Sequence, residues 1–105
     1  MRRVIIESPF AGDVERNVAY ARRCMRDSLS RGEAPLALHL LYPQVLRDEN
    51  TEERRQGIGA GLSWATCAEA TIVYVDHGIS RGMELGIAHA KRAGRKIEYR
   101  SLVVP

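Results

Sequence analysis

The chain has 105 residues, within the span of a single domain of about 50–250 residues. With 45% hydrophobic and 28% charged residues it can build one packed core, which excludes a disordered tail and a multidomain enzyme. Sixteen Lys+Arg against thirteen Asp+Glu give +3, and although fourteen of the cations are arginine, so small an excess argues weakly for any partner.

Val4-Ile5-Ile6 is a continuous β-branched run, the pattern of a strand buried on both faces. Arg2 and Arg3 ahead of it carry the charges of a signal n-region, but the apolar run stops at Glu7. No stretch approaches the roughly 18 apolar residues that cross a bilayer, so the expected location is the cytoplasm. Ser8-Pro9-Phe10-Ala11-Gly12 breaks the strand, and Asp13 caps a helix with Val14, Val18, Ala21, Met25 and Leu29 on one face. Its arginines, Arg16, Arg22, Arg23, Arg26 and Arg31, alternate with Asp13, Glu15 and Asp27, as on a solvated, ion-paired face. Gly32 ends it. Residues 34–41 read as a second strand, bounded by Pro35 and Pro43.

Residues 48–53 place acids and cap residues ahead of a second helix. Gly57, Gly59 and Gly61 interrupt its face of Ile58, Leu62 and Ala65, and each costs about 1 kcal/mol against alanine in a helix interior. Close approach of a ligand or another backbone explains such a run, and so does a loop or kink. Residues 70–75 form the clearest central strand. Asp76-His77-Gly78-Ile79 turns the chain, Ser80 caps a third helix to about Ala93, and 96–100 is a fourth strand. The order βαβαβαβ predicts a small α/β three-layer sandwich, with a mostly parallel sheet of four or five strands flanked by helices.

Cys24 and Cys67 lie far apart without a CxxC or a Cys/His cluster. Both read as buried apolar thiols in a reducing compartment, and no metal or cofactor is expected. His89 is expected on the surface and His39 as a satisfied core histidine. His77 is the candidate acid/base helper, since an imidazole titrates near neutrality. Trp64 and Tyr74 read as core or subunit-interface aromatics. Apolar residues left over at Leu102-Val103-Val104 point to a homodimer or larger homo-oligomer.

In open parallel sheets ligands bind beyond the carboxyl ends of the strands. Residues 7–13, 39–43 and 76–84 reach that edge. They bring three carboxylates, Glu7, Asp76 and Glu84, together with hydroxyls, aromatics and glycine-exposed amides, the inventory of a sugar or nucleotide pocket. Neither GxGxxG nor GxxxxGK[ST] is present, which disfavours dinucleotide and P-loop chemistry.

The stretch Gly78-Ile79-Ser80-Arg81-Gly82-Met83-Glu84-Leu85-Gly86-Ile87-Ala88, followed by Ala90 and Gly94, resembles the signature of the nucleoside 2-deoxyribosyltransferase-like superfamily. The opening strand into Ser8-Pro9-Phe10, residues 17–21, residues 62–69 and the strand before Asp76 are similar to it too. The resemblance covers nearly all of 1–105 as a single domain, and is nearest to short phage and bacterial members of unknown function, which implies the host cytoplasm as the location if the chain is phage-encoded. It implies a Rossmann/flavodoxin-like fold and a nucleoside or nucleoside 5′-monophosphate as substrate. Glu84 is then the nucleophile that attacks the anomeric carbon, forming a glycosyl-enzyme ester that a second base or water resolves. Asp76 is implied as a second catalytic carboxylate. Ser8, Phe10, Gly12, Gly78, Ser80, Arg81, Gly82 and Met83 are implied as substrate-binding. Where many of these enzymes carry an aspartate ahead of the segment matching Leu62-Ser63-Trp64, this chain has Gly61.

Two other functions compete with an N-glycosidase or (deoxy)ribosyltransferase. One is a non-catalytic nucleotide-binding protein, for instance one that binds a signal in phage–host conflict. The other is direct nucleic-acid binding, which ranks last because no basic cluster is interleaved with aromatics.

Overall fold

A computed structural model describes residues 1–102. Four strands, β1 (Arg2–Glu7), β2 (Glu33–Leu36), β3 (Ala70–Tyr74) and β4 (Lys96–Arg100), form one all-parallel sheet in the order β2-β1-β3-β4. Three helices connect them: α1 (Val14–Ser30), α2 (Thr51–Ala65) and α3 (Arg81–Arg92). Register runs from Arg2↔Glu33 through Val4↔Ala70 to Ala70↔Lys96. β3 is buried along its whole length, as its β-branched run requires of a central parallel strand.

Alternate residues of each strand feed two cores on opposite faces of the sheet. Val4, Ile6, Ala70, Ile72 and Tyr74 pack on Tyr20 and Cys24 of α1. Val73 packs on Met83 and Ile87 of α3 on the other face. α2 shares that second face: Arg95 donates from Nη1 to Ala65 O at 2.9 Å and from Nε to Thr71 Oγ1 at 3.0 Å. The outcome is a three-layer α/β sandwich. Among the described residues no helix is long and apolar enough to cross a membrane. Val103 and Val104, part of the apolar tail in the oligomer expectation, lie outside the described residues.

Three local expectations are corrected and one pair of alternatives is decided. The buried face of α1 is Asn17, Tyr20, Ala21, Cys24 and Ser28, while Val14 and Leu29 are exposed. The polar members are satisfied, Asn17 Nδ2 donating to Phe10 O and Ala11 O and Ser28 Oγ to Glu33 Oε1, so polar residues sit where the apolar pattern could not place them. The second strand stops at Leu36, and two 3-10 turns follow, Leu38–Leu40 and Tyr42–Gln44. α2 is a single continuous helix, and its glycines are a close-approach surface. A Cβ at Gly57 would meet Leu46 Cδ1 at 3.3 Å, and one at Gly61 would meet Leu38 Cδ1 at 3.5 Å, whereas Gly59 faces open space. Finally, Cys67 is exposed where a buried thiol was expected, Trp64 is exposed and so not the core alternative of its reading, and Cys24 and Tyr74 are core.

The arginines of α1 are not the ion-paired face expected of them. Arg31 pairs with Asp27 at 2.9 Å, but Arg16, Arg22, Arg23 and Arg26 are exposed and make no ion pair among the described residues. Arg23 lies over the Tyr20 ring, 5.8 Å from its centroid. The dense ion pairing is on the sheet instead, where Glu33 and Glu98 bind Arg2 and Arg100.

Candidate functional site

α2 stands off the sheet, and the gap between it, the 3-10 turns and α3 is a cleft of about 490 Å³. That is the size of ordinary small-molecule sites. Its first wall is Gly57, Ile58, Gly61 and Leu62 of α2 with Leu38, Tyr42 and Leu46 of the turns. Its second is Ser80, Arg81, Gly82, Met83, Leu85 and Gly86, at the start of α3. Ser8, Phe10 and His39 close the side, and Glu7 and Arg95 also line it. The cleft lies at the carboxyl edge of the sheet because every helix of a parallel βαβ unit starts there.

Glu7, the last residue of β1, sets the chemistry of the floor. Its side chain lies against Gly86 of α3, the one contact that a glycine there permits. A Cβ at position 86 would come within 2.5 Å of Glu7 Cδ and 2.9 Å of Oε1. No hydrogen bond reaches the Glu7 carboxyl from any described residue. Burial pushes its pKa up to about 8 against the opposing pull of Arg95, so the carboxyl carries a proton at neutral pH. Arg95 is held by Thr71 Oγ1, Ala65 O and, at 3.1 Å, His89 Nδ1. Burial lowers its pKa, and Glu7 raises it.

His39 sits in the first 3-10 turn, with Nε2 2.8 Å from Ser8 Oγ. Burial brings its pKa down to about 4, which makes it a neutral imidazole at pH 7. The expectation of a hydrogen-bonded histidine holds, but on the cleft wall and outside any strand. His77 stacks on Tyr20 with ring centroids 4.0 Å apart, and its Nδ1 is buried without a partner among the described residues. His77 does not line the cleft.

Of the residues singled out from sequence, Ser8, Phe10, Ser80, Arg81, Gly82 and Met83 line the cleft together. Glu84, Asp76, Gly12 and Gly78 do not. Glu84 is exposed in the first turn of α3. At about 100° per residue it points away from Gly82 and Gly86, which face the cleft. Asp76 is committed to structure. It accepts from Tyr20 Oη at 2.5 Å, from Ser101 Oγ and from the Leu102 N–H at 3.0 Å, tying the end of β3 to α1 and to the segment after β4. Gly12 and Gly78 have φ of 101° and 79°, the left-handed turns that L side chains rarely adopt. Glu7, counted from sequence among the rim carboxylates, and His39, in the segment expected at that edge, both line the cleft, and Arg54, Gly86 and Arg95 are cleft residues that sequence alone left outside the site.

Gly86→Ala tests the seat of Glu7. Alanine gains about 1 kcal/mol of helix propensity, which offsets an overpacking cost of about 1–3 kcal/mol, since the displaced atoms are the end of a flexible side chain. Stability should therefore change little, while the carboxyl swings into the cleft and its pKa falls from about 8 towards the ordinary 4.5. A carboxyl titration by NMR that still reads about 8 in the variant would refute the placement.

No curated protein matches the chain. Residues 2–100 match the family described as a domain of unknown function, DUF7768, and the chain belongs to that family.

Proposed function

We propose that the chain is a cytoplasmic N-glycosidase or (deoxy)ribosyltransferase acting on a nucleoside or nucleoside 5′-monophosphate, with Glu7 as the acid that releases the base. The observation that carries this reading is the Glu7 carboxyl at the floor of a cleft of about 490 Å³, without a hydrogen-bond partner among the described residues and with burial pushing its pKa up to about 8. The apolar walls suit a flat base. As the C1′–N bond breaks, the Glu7 proton passes to the departing nitrogen. Water attacking C1′ gives the free sugar and returns a proton to Glu7, and a second base attacking there gives transfer instead. Compared with the role implied for Glu84, the bond and the substrate class are kept, and the acting carboxyl moves to β1. Assembly as a homodimer or larger homo-oligomer belongs to the same reading, supported by the exposed Trp64 on α2.

The test is a panel of nucleosides and 5′-monophosphates scored for free base by chromatography. At least one should lose its base, and Glu7→Gln should slow that by about 10²-fold or more, the usual worth of a general acid. If Glu84→Ala abolishes turnover while Glu7→Gln does not, the reaction belongs to the first turn of α3 and the assignment to Glu7 is wrong. A second reading, nucleotide binding without turnover, is favoured by one specific observation: the expected nucleophile Glu84 faces away from the cleft. Binding of a panel member with no base released on long incubation selects it.

A further inference from the structure

We infer that the solvent face of α1 is a docking surface for duplex nucleic acid, held through its phosphates without reading of base sequence. This face lies on the opposite side of the sheet from the cleft, so it goes beyond the nucleotide reading above and stands or falls separately from it.

The positive charge of the chain is concentrated there. Residues 16–26 hold four arginines, Arg16, Arg22, Arg23 and Arg26, and no acid, a charge of +4 in a chain whose net charge is +3. All the other residues together are therefore nearly balanced, at −1. At about 100° per residue the four arginines fall within an arc of about 120° on the helix, centred on the exposed Ala19. All four are exposed, and none makes an ion pair among the described residues. Two of the three flanking acids are engaged elsewhere. Asp13 accepts from the Arg16 N–H as the cap of α1, and Asp27 accepts from Arg31 Nε at 2.9 Å and from Tyr74 Oη at 2.7 Å. Glu15 remains, at the amino-terminal end of the patch.

The make-up of the face decides its occupant. From Arg16 to Arg26 the helix rises about 15 Å, and over that length a duplex presents about nine phosphate charges. Guanidinium is a planar fork that matches phosphate oxygens, and the small Ala19 between the arginines leaves room for a sugar–phosphate backbone. A single strand is held by stacking its bases on exposed aromatics, but the one aromatic of α1, Tyr20, is buried with Arg23 over its ring. An anionic membrane takes bulky apolar groups beside the cations, and the exposed large apolar residues of α1, Val14 and Leu29, fall outside residues 16–26. An acidic protein brings separate ion pairs, each of little worth in water. A duplex instead gives up condensed counterions to every arginine that replaces them, so four exposed arginines are enough for weak, salt-dependent binding.

The test uses the full chain and two fluorescein-labelled DNA duplexes of about 20 base pairs and unrelated sequence, read by fluorescence anisotropy from about 25 to about 200 mM NaCl. Both duplexes should bind alike, with log Kd rising by about 3 to 4 per tenfold rise in salt, the slope for four neutralised phosphates. Arg22→Ala/Arg26→Ala should halve that slope and weaken binding about tenfold or more at the lowest salt. The double lysine variant should keep the slope, since each lysine keeps its charge. Arg47→Ala/Arg55→Ala removes the same charge from exposed arginines elsewhere and should leave the slope unchanged. No binding at the lowest salt, a strong preference for one duplex, or equal losses in the two double alanine variants overturns the inference. So does tighter binding, at equal concentration of negative charge, of the single strand, of phosphatidylserine vesicles or of polyglutamate, each of which gives the face to a different occupant.

Discussion

Glu33→Ala is expected to lower the free energy of unfolding by about 3 kcal/mol at pH 7, the cost of breaking a buried ion pair from one side. Glu33 opens β2 with its side chain 7% exposed. Its Oε2 lies 2.5 Å from Arg2 Nη2 and 2.6 Å from Arg100 Nη2, and its Oε1 accepts from Ser28 Oγ and Arg100 Nη1, each at 2.7 Å. Arg100 is 10% exposed, so without Glu33 it keeps only the longer contacts to Glu98 and Tyr74 Oη, both 3.4 Å. By contrast, the half-exposed Arg31–Asp27 pair is worth under about 1 kcal/mol. Arg100 foremost, with Arg2 and Ser28, holds the Glu33 carboxyl down at about 2. Its folded value lies below the ordinary 4.5, so the stabilisation is whole above pH 4.5 and fades as pH falls towards 2. Urea titrations of the wild type and Glu33→Gln should differ most near neutrality and converge in acid. A loss of less than about 1 kcal/mol in Glu33→Ala would mean that the network behaves as solvated surface pairs do.

How far the fold can be read from sequence depends on what each segment buries. β1 and β3 are legible because a strand covered on both faces has to be a continuous β-branched run. α1 is legible in its bounds, with Asp13 accepting from the Arg16 N–H, but not in its rotation. Two of its inward residues, Asn17 and Ser28, are polar and become buriable only through partners distant in sequence or in loops. The segment after β2 is illegible for a related reason. Leu38, Leu40 and Leu41 look like strand residues, yet pairing with β1 stops at Ile5↔Leu36 although β1 itself runs on to Glu7. The segment folds instead into 3-10 turns that fill the groove opened by Gly57 and Gly61. The glycines and the leucines explain one another only once α2 is placed.

The site divides the same way. That a pocket should open at the carboxyl edge follows from parallel topology, and Ser8, Phe10 and the start of α3 are found there. The orientation of Glu84 was also within reach of the sequence. Gly82 and Gly86 face the cleft, and a residue two positions after Gly82 lies about 200° round the helix from it. Glu7 was placed at the rim from sequence, but its seat against α3 was not legible. A carboxylate ending a buried strand looks like a polar boundary, and its burial depends on Gly86, 79 residues later. No local pattern joins the two.

At pH 8.5, Glu7→Gln is expected to stabilise the chain by a few kcal/mol, and at pH 5 to leave it nearly unchanged. Burial raises the folded pKa of Glu7 to about 8, above the ordinary 4.5. A carboxyl raised in this way contributes its full stability below pH 4.5 and loses it as pH rises through 8, because over that interval the unfolded chain releases a proton that the folded chain keeps. The steepest slope is about 1.4 kcal/mol per pH unit, and the opening of the cleft to solvent reduces the total. Glutamine has the same shape and no proton to lose, so its unfolding free energy should be flat from pH 5 to 8 where that of the wild type declines. Retaining glutamate where its amide would be more stable is the trade expected of a functional residue. If the two proteins instead stay parallel across this range, Glu7 is ionised in the folded chain and paired with Arg95. The floor of the cleft then holds a carboxylate with no proton to give, and base release by Glu7 as an acid is excluded.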